Sequence, residues 1–282
     1  MNKLIDKTIA VIAISRPLNF IITFVSIVVA GLISSSSEIF THAIFYAGMA
    51  GAFASAAGNI INDYYDVEID RLNKPDRVLP SERLTKREAL FIYMIFVLVS
   101  FNFALRINIA SFFVVVFASL IIFLYSFRLK RIPLFGNFVV AFLTGLAFIF
   151  GGIAVDNFYG GLIPFGFALI INFIREIVKD MEDVEGDRKE KVITFPIKYG
   201  FPLSKKIVTA STIVLIVFTL IPFVFQIYKI KFFIIAMVVI NPVLLYMLKS
   251  LYGNSSKSNL SRLSMIIKLV MIVGLIAIYI GV

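Results

Sequence analysis

Nine mainly apolar stretches, each close to the 20 or so residues a helix needs to cross a bilayer, run along this 282-residue chain. They read as spans at 17–35, 41–61, 88–105, 108–125, 134–154, 161–178, 205–225, 232–249 and 263–281. The expected fold is all-α: a polytopic membrane protein of nine transmembrane helices, one domain over 1–282. Composition agrees, with 60% apolar residues and 16% charged, against roughly 45–50% and 25% in soluble domains. So little charge beside 15% aromatics also excludes disorder. The chain has no cysteine, which removes disulfides, thiol catalysis and Cys-ligated metals. One histidine, His42, cannot build a His-based metal site. Chemistry is left to carboxylates, amides, Lys, Arg and Tyr.

Residues 1–16 carry Lys3, Lys7 and Arg16 around one short apolar stretch, with no small-residue cleavage site. They read as an interfacial amphipathic helix leading into the first span. Of the 27 Lys and Arg, all but Arg106, Lys229 and Lys231 fall beside segments on one side of the membrane. The positive-inside rule makes that side cytoplasmic, with the N-terminus in and the C-terminus out. The net charge of +10 then reflects topology and contact with anionic membrane lipid, and calls for no nucleic acid.

The acidic residues are the sharper signal. Of 17, all but Asp6, Glu38 and Asp156 lie in two clusters, between 63 and 88 and between 176 and 190. Each cluster adjoins the cytoplasmic end of a span, and one is a copy of the other. Asp63-x-x-Asp66-x-x-x-Asp70 recurs 117 residues later as Asp180-x-x-Asp183-x-x-x-Asp187. DVEIDRLNK at 66–74 and DVEGDRKEK at 183–191 share six of nine residues. Copies an even number of spans apart run in the same direction, the mark of a parallel repeat about the membrane normal. The expectation is two pseudo-twofold four-helix halves around a central cavity, roughly 1–130 and 131–250, with a ninth helix at 263–281.

Helical spacing turns these letters into geometry. Residues three, four and seven apart share a face, so Asn62, Asp66 and Asp70 align, as do Asp180, Asp183 and Asp187. Stripes of carboxylate facing a common cavity repel, and hard divalent cations relieve that repulsion. Asp and Asn oxygens suit Mg²⁺, which shares its coordination between carboxylates and substrate phosphates. The expected partner is a polyanion at the membrane surface. Lys74 and Arg77 follow the first motif, Lys189 and Lys191 follow the second, and Lys130 lies between Arg128 and Arg131 in the loop joining the halves. All are placed to meet such an anion.

GNIINDYYDVEIDRLNKPDRVLPS at 58–81 and REIVKDMEDVEGDRKEKVITFPIKYG at 175–200 resemble the two signatures of the UbiA superfamily of intramembrane prenyltransferases. YSFRLKR at 125–131 and the Gly136-Asn137 pair resemble it too, whereas Val78 stands where the family more often has proline. The resemblance implies a UbiA-like fold and Mg²⁺-dependent transfer of an isoprenoid from a prenyl diphosphate. Asn62, Asp66, Asp70, Asp180, Asp183 and Asp187 then hold Mg²⁺, while Lys74, Arg77, Lys130, Lys189 and Lys191 bind the diphosphate. The six aspartates, Asp63 included, form the catalytic set, with Asp63 and Asp70 as alternative proton acceptors.

The wording of the second motif is most similar to the archaeal branch, which alkylates a lipid-like glyceryl phosphate acceptor, geranylgeranylglyceryl phosphate. Arg16 and Asn19 at the first span, with Lys268 two turns into the ninth, are the candidates for binding that acceptor. Two other readings stay open on spacing alone. An aromatic acceptor, a quinone precursor or heme, would use the same diphosphate site. A divalent-cation carrier would also want paired acidic helices, but its path needs ionisable residues at mid-span, and spans 3, 4, 7 and 8 offer none.

Overall fold

The computed structural model describes residues 2–35, 39–189 and 192–282. Helix α1 (Asn2–Ser15) precedes α2 (Pro17–Ser34), α3 (His42–Asn73), α4 (Lys86–Leu105), α5 (Ile109–Phe127), α6 (Phe135–Ala154) and α7 (Phe158–Lys189). There follow α8 (Phe195–Phe218), the single turn α9 (Ile221–Val224), α10 (Ile230–Ile235), α11 (Asn241–Gly253) and α12 (Lys257–Gly281). Among the described residues, nine helical segments are long and apolar enough to span a membrane, in the order the sequence predicts. Large apolar side chains stand outward along them, among them Leu98 at 65%, Phe113 at 63% and Val238 at 68% exposure. Such surfaces belong in lipid.

Two helices outrun the rest. α3 and α7 have 32 residues each, about 48 Å at 1.5 Å per residue, against a hydrocarbon core of roughly 30 Å. The predicted spans stop at 61 and 178, whereas the helices continue unbroken through both acidic motifs. Carboxylates in the last turns of a helix oppose its dipole. At α3 the opposition is offset by cations: Arg71 pairs with Glu68 at 3.2 Å, and Arg77 reaches back from the loop to Asp70.

The chain forms two compact units. The first holds residues 1–129 and 147–161. Its centre is α3, whose Ala47, Ala50, Ala54 and glycines admit α2 closely: a Cβ on Gly51 would sit 2.0 Å from Ile27 Cδ1. Small residues are how helices approach where lipid gives no hydrophobic drive. Side-chain bonds to backbone oxygens join distant segments, Ser100 to Ala50 at 2.6 Å and Asn157 to Ser34 at 2.8 Å. Ala10 and Ile14 of α1 are buried with Ile60 and Val67 of α3, and with Val78, Leu79 and Leu84 of the loop after the first motif. α1 thus clamps that loop against α3. Thr85 and Glu88 form a capping box at the start of α4, and Glu88 also accepts from Lys7 of α1.

The second unit holds residues 130–146 and 162–282. α8 begins ten residues before the predicted span, at Phe195, and breaks at Gly200, where φ is +81°. That left-handed conformation favours glycine. In the eighth span, Asn241-Pro242 predicts a kink. The structure places a π-helical turn at Ala236–Ile240 before the proline, which has no N–H to continue the ladder. The Asn241 amide donates to Thr219 Oγ1 at 3.1 Å and anchors the distortion inside the unit.

Candidate functional site

In the first unit, α3 carries Asn62, Asp63, Asp66 and Asp70 on successive turns. Asp63 and Asp70 are each only 5% exposed, so their charges need partners. The Arg77 guanidinium supplies one to both: its Nη1 donates to Asp70 Oδ2 at 2.6 Å and to Asp63 Oδ1 at 3.3 Å. A second guanidinium, Arg16, donates to the same Asp63 Oδ1 at 2.6 Å. Arg16 sits between α1 and α2 with φ +52°, a conformation uncommon outside glycine. The corner is tied to α3 a turn earlier, where the Asn59 amide donates to the Ser15 carbonyl at 3.3 Å. Asn19 donates in turn to Asn59 at 3.5 Å.

The loop after α3 is built to present Arg77. Lys74 caps the helix through its N–H to the Asp70 carbonyl at 2.8 Å, and the Arg77 N–H bonds the Lys74 carbonyl at 3.0 Å. Ser81 closes the turn onto the Arg77 carbonyl through its N–H and its hydroxyl. Lys74 itself is exposed. Beside the motif, Tyr65 meets Phe127 at 5.5 Å and Phe123 at 6.0 Å between ring centroids, an aromatic wall on α3 and α5.

In the second unit, Asp180, Asp183 and Asp187 follow one face of α7 and are partly buried. The Asn137 amide, in the first turn of α6, donates to Asp180 Oδ2 at 2.8 Å. Arg175 pairs with Glu176 at 2.8 Å. Lys130 is half-buried in a short 3₁₀ turn at Leu129–Arg131. Lys189 closes α7, Lys191 lies outside the described residues, and Lys268 stands exposed on α12.

Two partnerships escape a reading of the letters. Arg16, read from the sequence as an acceptor residue, also donates to Asp63. Asn137 stood out only through family resemblance, and the structure gives it Asp180. The two contacts correspond in the repeated motif: each joins its first aspartate to a residue at the start of another helix, Arg16 before α2 and Asn137 in α6.

Among the described residues, no three acidic or histidine side chains are grouped as a ready-made metal cage. The donors nevertheless suit a hard cation. Asp63 and Asp70 already share one cationic group, the Arg77 guanidinium, between them, and Asn62 and Asp66 add oxygen atoms along the same helix.

Comparison with known proteins gives the family. Residues 20–272 match the UbiA prenyltransferase family. The chain is 33% identical over 281 residues to a digeranylgeranylglyceryl phosphate synthase of Methanocaldococcus jannaschii, covering 100% of this chain and 99% of that one. It is 31% identical over 270 residues to the synthase of the same name from Methanosphaera stadtmanae, covering 96% and 98%. A solved structure of a digeranylgeranylglyceryl phosphate synthase superposes with TM-score 0.88 at 33% identity, over 100% of this chain and 99% of that chain. A UbiA homologue from Archaeoglobus fulgidus, bound to DMAPP and Mg²⁺, shares the fold with TM-score 0.70 at 19% identity, over 95% and 98%. With both acidic signatures inside the matched region, the chain belongs to the UbiA prenyltransferase family.

Proposed function

We propose that the protein transfers geranylgeranyl from geranylgeranyl diphosphate to the hydroxyl of geranylgeranylglyceryl phosphate, using Mg²⁺ and forming the second ether bond of an archaeal lipid. The observation that carries this reading is the end-to-end likeness to digeranylgeranylglyceryl phosphate synthases at about one residue in three. The homologue bound to DMAPP and Mg²⁺ supports the donor class and the metal.

Asn62, Asp66 and Asp70 in one motif, and Asp180, Asp183 and Asp187 in its copy, would hold the metal. When bound, Mg²⁺ supplies charge neutralisation for the diphosphate leaving group. Lys74, Arg77, Lys130, Lys189 and Lys191 add N–H donors to the same anion, which lets negative charge build on it as the C1–O bond breaks. The aromatic faces around Tyr65 stabilise the allylic cation that results. Apolar helices house the isoprenoid tail and keep out water, which would otherwise capture the cation as an alcohol. The acceptor hydroxyl attacks C1, and a motif carboxylate or the departing diphosphate takes its proton. The charge bias of the loops supports a cytoplasmic position for this site.

The acceptor's phosphate distinguishes this substrate from phenolic ones, and Arg16, Asn19 and Lys268 are the residues proposed to bind it. An ionisable side chain within a span is a functional hypothesis in its own right. Lys268→Ala is therefore expected to raise the Michaelis constant for geranylgeranylglyceryl phosphate about ten-fold, the cost of roughly one charged hydrogen bond. The Michaelis constant for the donor should stay put. Steady-state kinetics with each substrate varied in turn makes the check, and an unchanged acceptor constant removes Lys268 from the site.

A further inference from the structure

The first motif holds its own counter-cation. Asp63 and Asp70 are buried to the same degree, yet they are partnered unequally. Asp63 Oδ1 accepts from Arg16 at 2.6 Å and from Arg77 at 3.3 Å. For Asp70 the short contact is Arg77, at 2.6 Å. Arginine keeps its charge at any pH a protein survives. A divalent cation seeking Asp70 must therefore compete with a guanidinium that has no neutral form to retreat to.

The local build favours exchange. Arg77's backbone is pinned by the turn from Lys74 to Ser81 and by buried Val78 and Leu79 beside it. Its long side chain is 28% exposed and can leave the carboxylates without disturbing that turn. Arg16, at the α1–α2 corner, would remain on Asp63 when Arg77 departs. The carboxylate released is then Asp70, one turn beyond Asp66 and two beyond Asn62.

We infer that Arg77 is an exchangeable cation: it neutralises Asp70 until a diphosphate offers it a better partner, and its departure opens Asp70 to the metal. Guanidinium groups match phosphate oxygens in two-point geometry. Donor and metal therefore bind the first motif cooperatively, and Arg77 adds to the coupling that their direct attraction supplies. By linkage, whatever the diphosphate does for metal affinity the metal does for the diphosphate. The inference rests on the metal–diphosphate reading above, and it distinguishes Asp70, a gated ligand, from Asp63, a carboxylate held in place by Arg16.

The test is Mn²⁺ binding to the purified full-length chain, followed by electron paramagnetic resonance, alone and with the unreactive analogue geranylgeranyl S-thiolodiphosphate. Wild-type protein should bind Mn²⁺ weakly alone and about ten-fold more tightly with the analogue, within the usual range of coupling. Arg77→Gln removes the competing charge. It should bind Mn²⁺ alone about ten-fold more tightly than wild type and gain less from the analogue than wild type does, keeping only the part that comes from the diphosphate's own coordination of the metal. Arg77→Lys keeps a cation in place, so its affinity for Mn²⁺ alone should stay near the wild-type value. A loosened or misfolded variant would lose affinity rather than gain it. Equal or weaker Mn²⁺ binding by Arg77→Gln overturns the inference, as does Arg77→Lys binding as tightly as Arg77→Gln. Wild-type protein that binds no Mn²⁺ even with the analogue would instead overturn the metal–diphosphate reading itself.

Discussion

Asp66→Ala and Asp183→Ala are each expected to lower prenyl transfer by about three orders of magnitude. A loss of that size corresponds to roughly 4 kcal/mol of transition-state stabilisation, in line with removing a group that neutralises charge on a leaving diphosphate. The two positions are equivalent in the repeat, 117 residues apart, so similar losses are expected at both. Both are partly buried near the ends of long helices. The variants should therefore remain folded, with unchanged elution in detergent and unchanged helical circular dichroism. Substantial transfer by either folded variant would mean that its motif does not serve the diphosphate.

Gly151→Leu should have the largest effect on stability. A Cβ on Gly151 would lie 2.6 Å from Ala30 Cβ and 2.7 Å from the Gly31 backbone nitrogen of α2. Backbone cannot turn aside as a side-chain end can, so the helices must separate. Overpacking of this kind costs about 3 kcal/mol, and the thermal midpoint should fall by several degrees. Gly274 is the control, since nothing lies within 4 Å of its Cβ position. Gly274→Ala should be neutral or slightly stabilising, by up to about 1 kcal/mol of helix propensity. Equal midpoints for the two variants would show that the Gly151 contact does not matter.

Much of this molecule was legible from its letters, and the boundary between legible and not has a physical cause. Spans can be read because the bilayer imposes a length and a polarity on every crossing segment. The repeat can be read because identical spacing at 63–70 and 180–187 survives wherever the chain folds. The true ends of α3 and α7 were harder. Charged residues such as Asp66 and Asp183 end an apolar run, but they do not end a helix, which continues as long as its backbone bonds are satisfied. The π turn before Pro242 was hidden for a similar reason: proline announces a missing N–H, while the way the helix absorbs it depends on neighbours such as Thr219. Least legible were the partners. Arg16 and Asp63 lie 47 residues apart, and Asn137 and Asp180 lie 43 apart. No local pattern fixes which guanidinium or amide meets which carboxylate. Arg77 shows the consequence: as a letter it is one more cation near the diphosphate, whereas in the structure it holds Asp63 and Asp70 together.

The role of the doubled acidic motif as a prenyl-diphosphate site for a phosphate-bearing lipid acceptor meets its most direct test in a competition assay. Purified protein would be given geranylgeranyl diphosphate, Mg²⁺ and equal amounts of geranylgeranylglyceryl phosphate and 4-hydroxybenzoate, with products identified by mass spectrometry. The expected main product is the twice-alkylated glyceryl phosphate, with none formed once a chelator removes the metal. Prenylated hydroxybenzoate as the main product, or ether formation that persists in the chelator, would contradict that role.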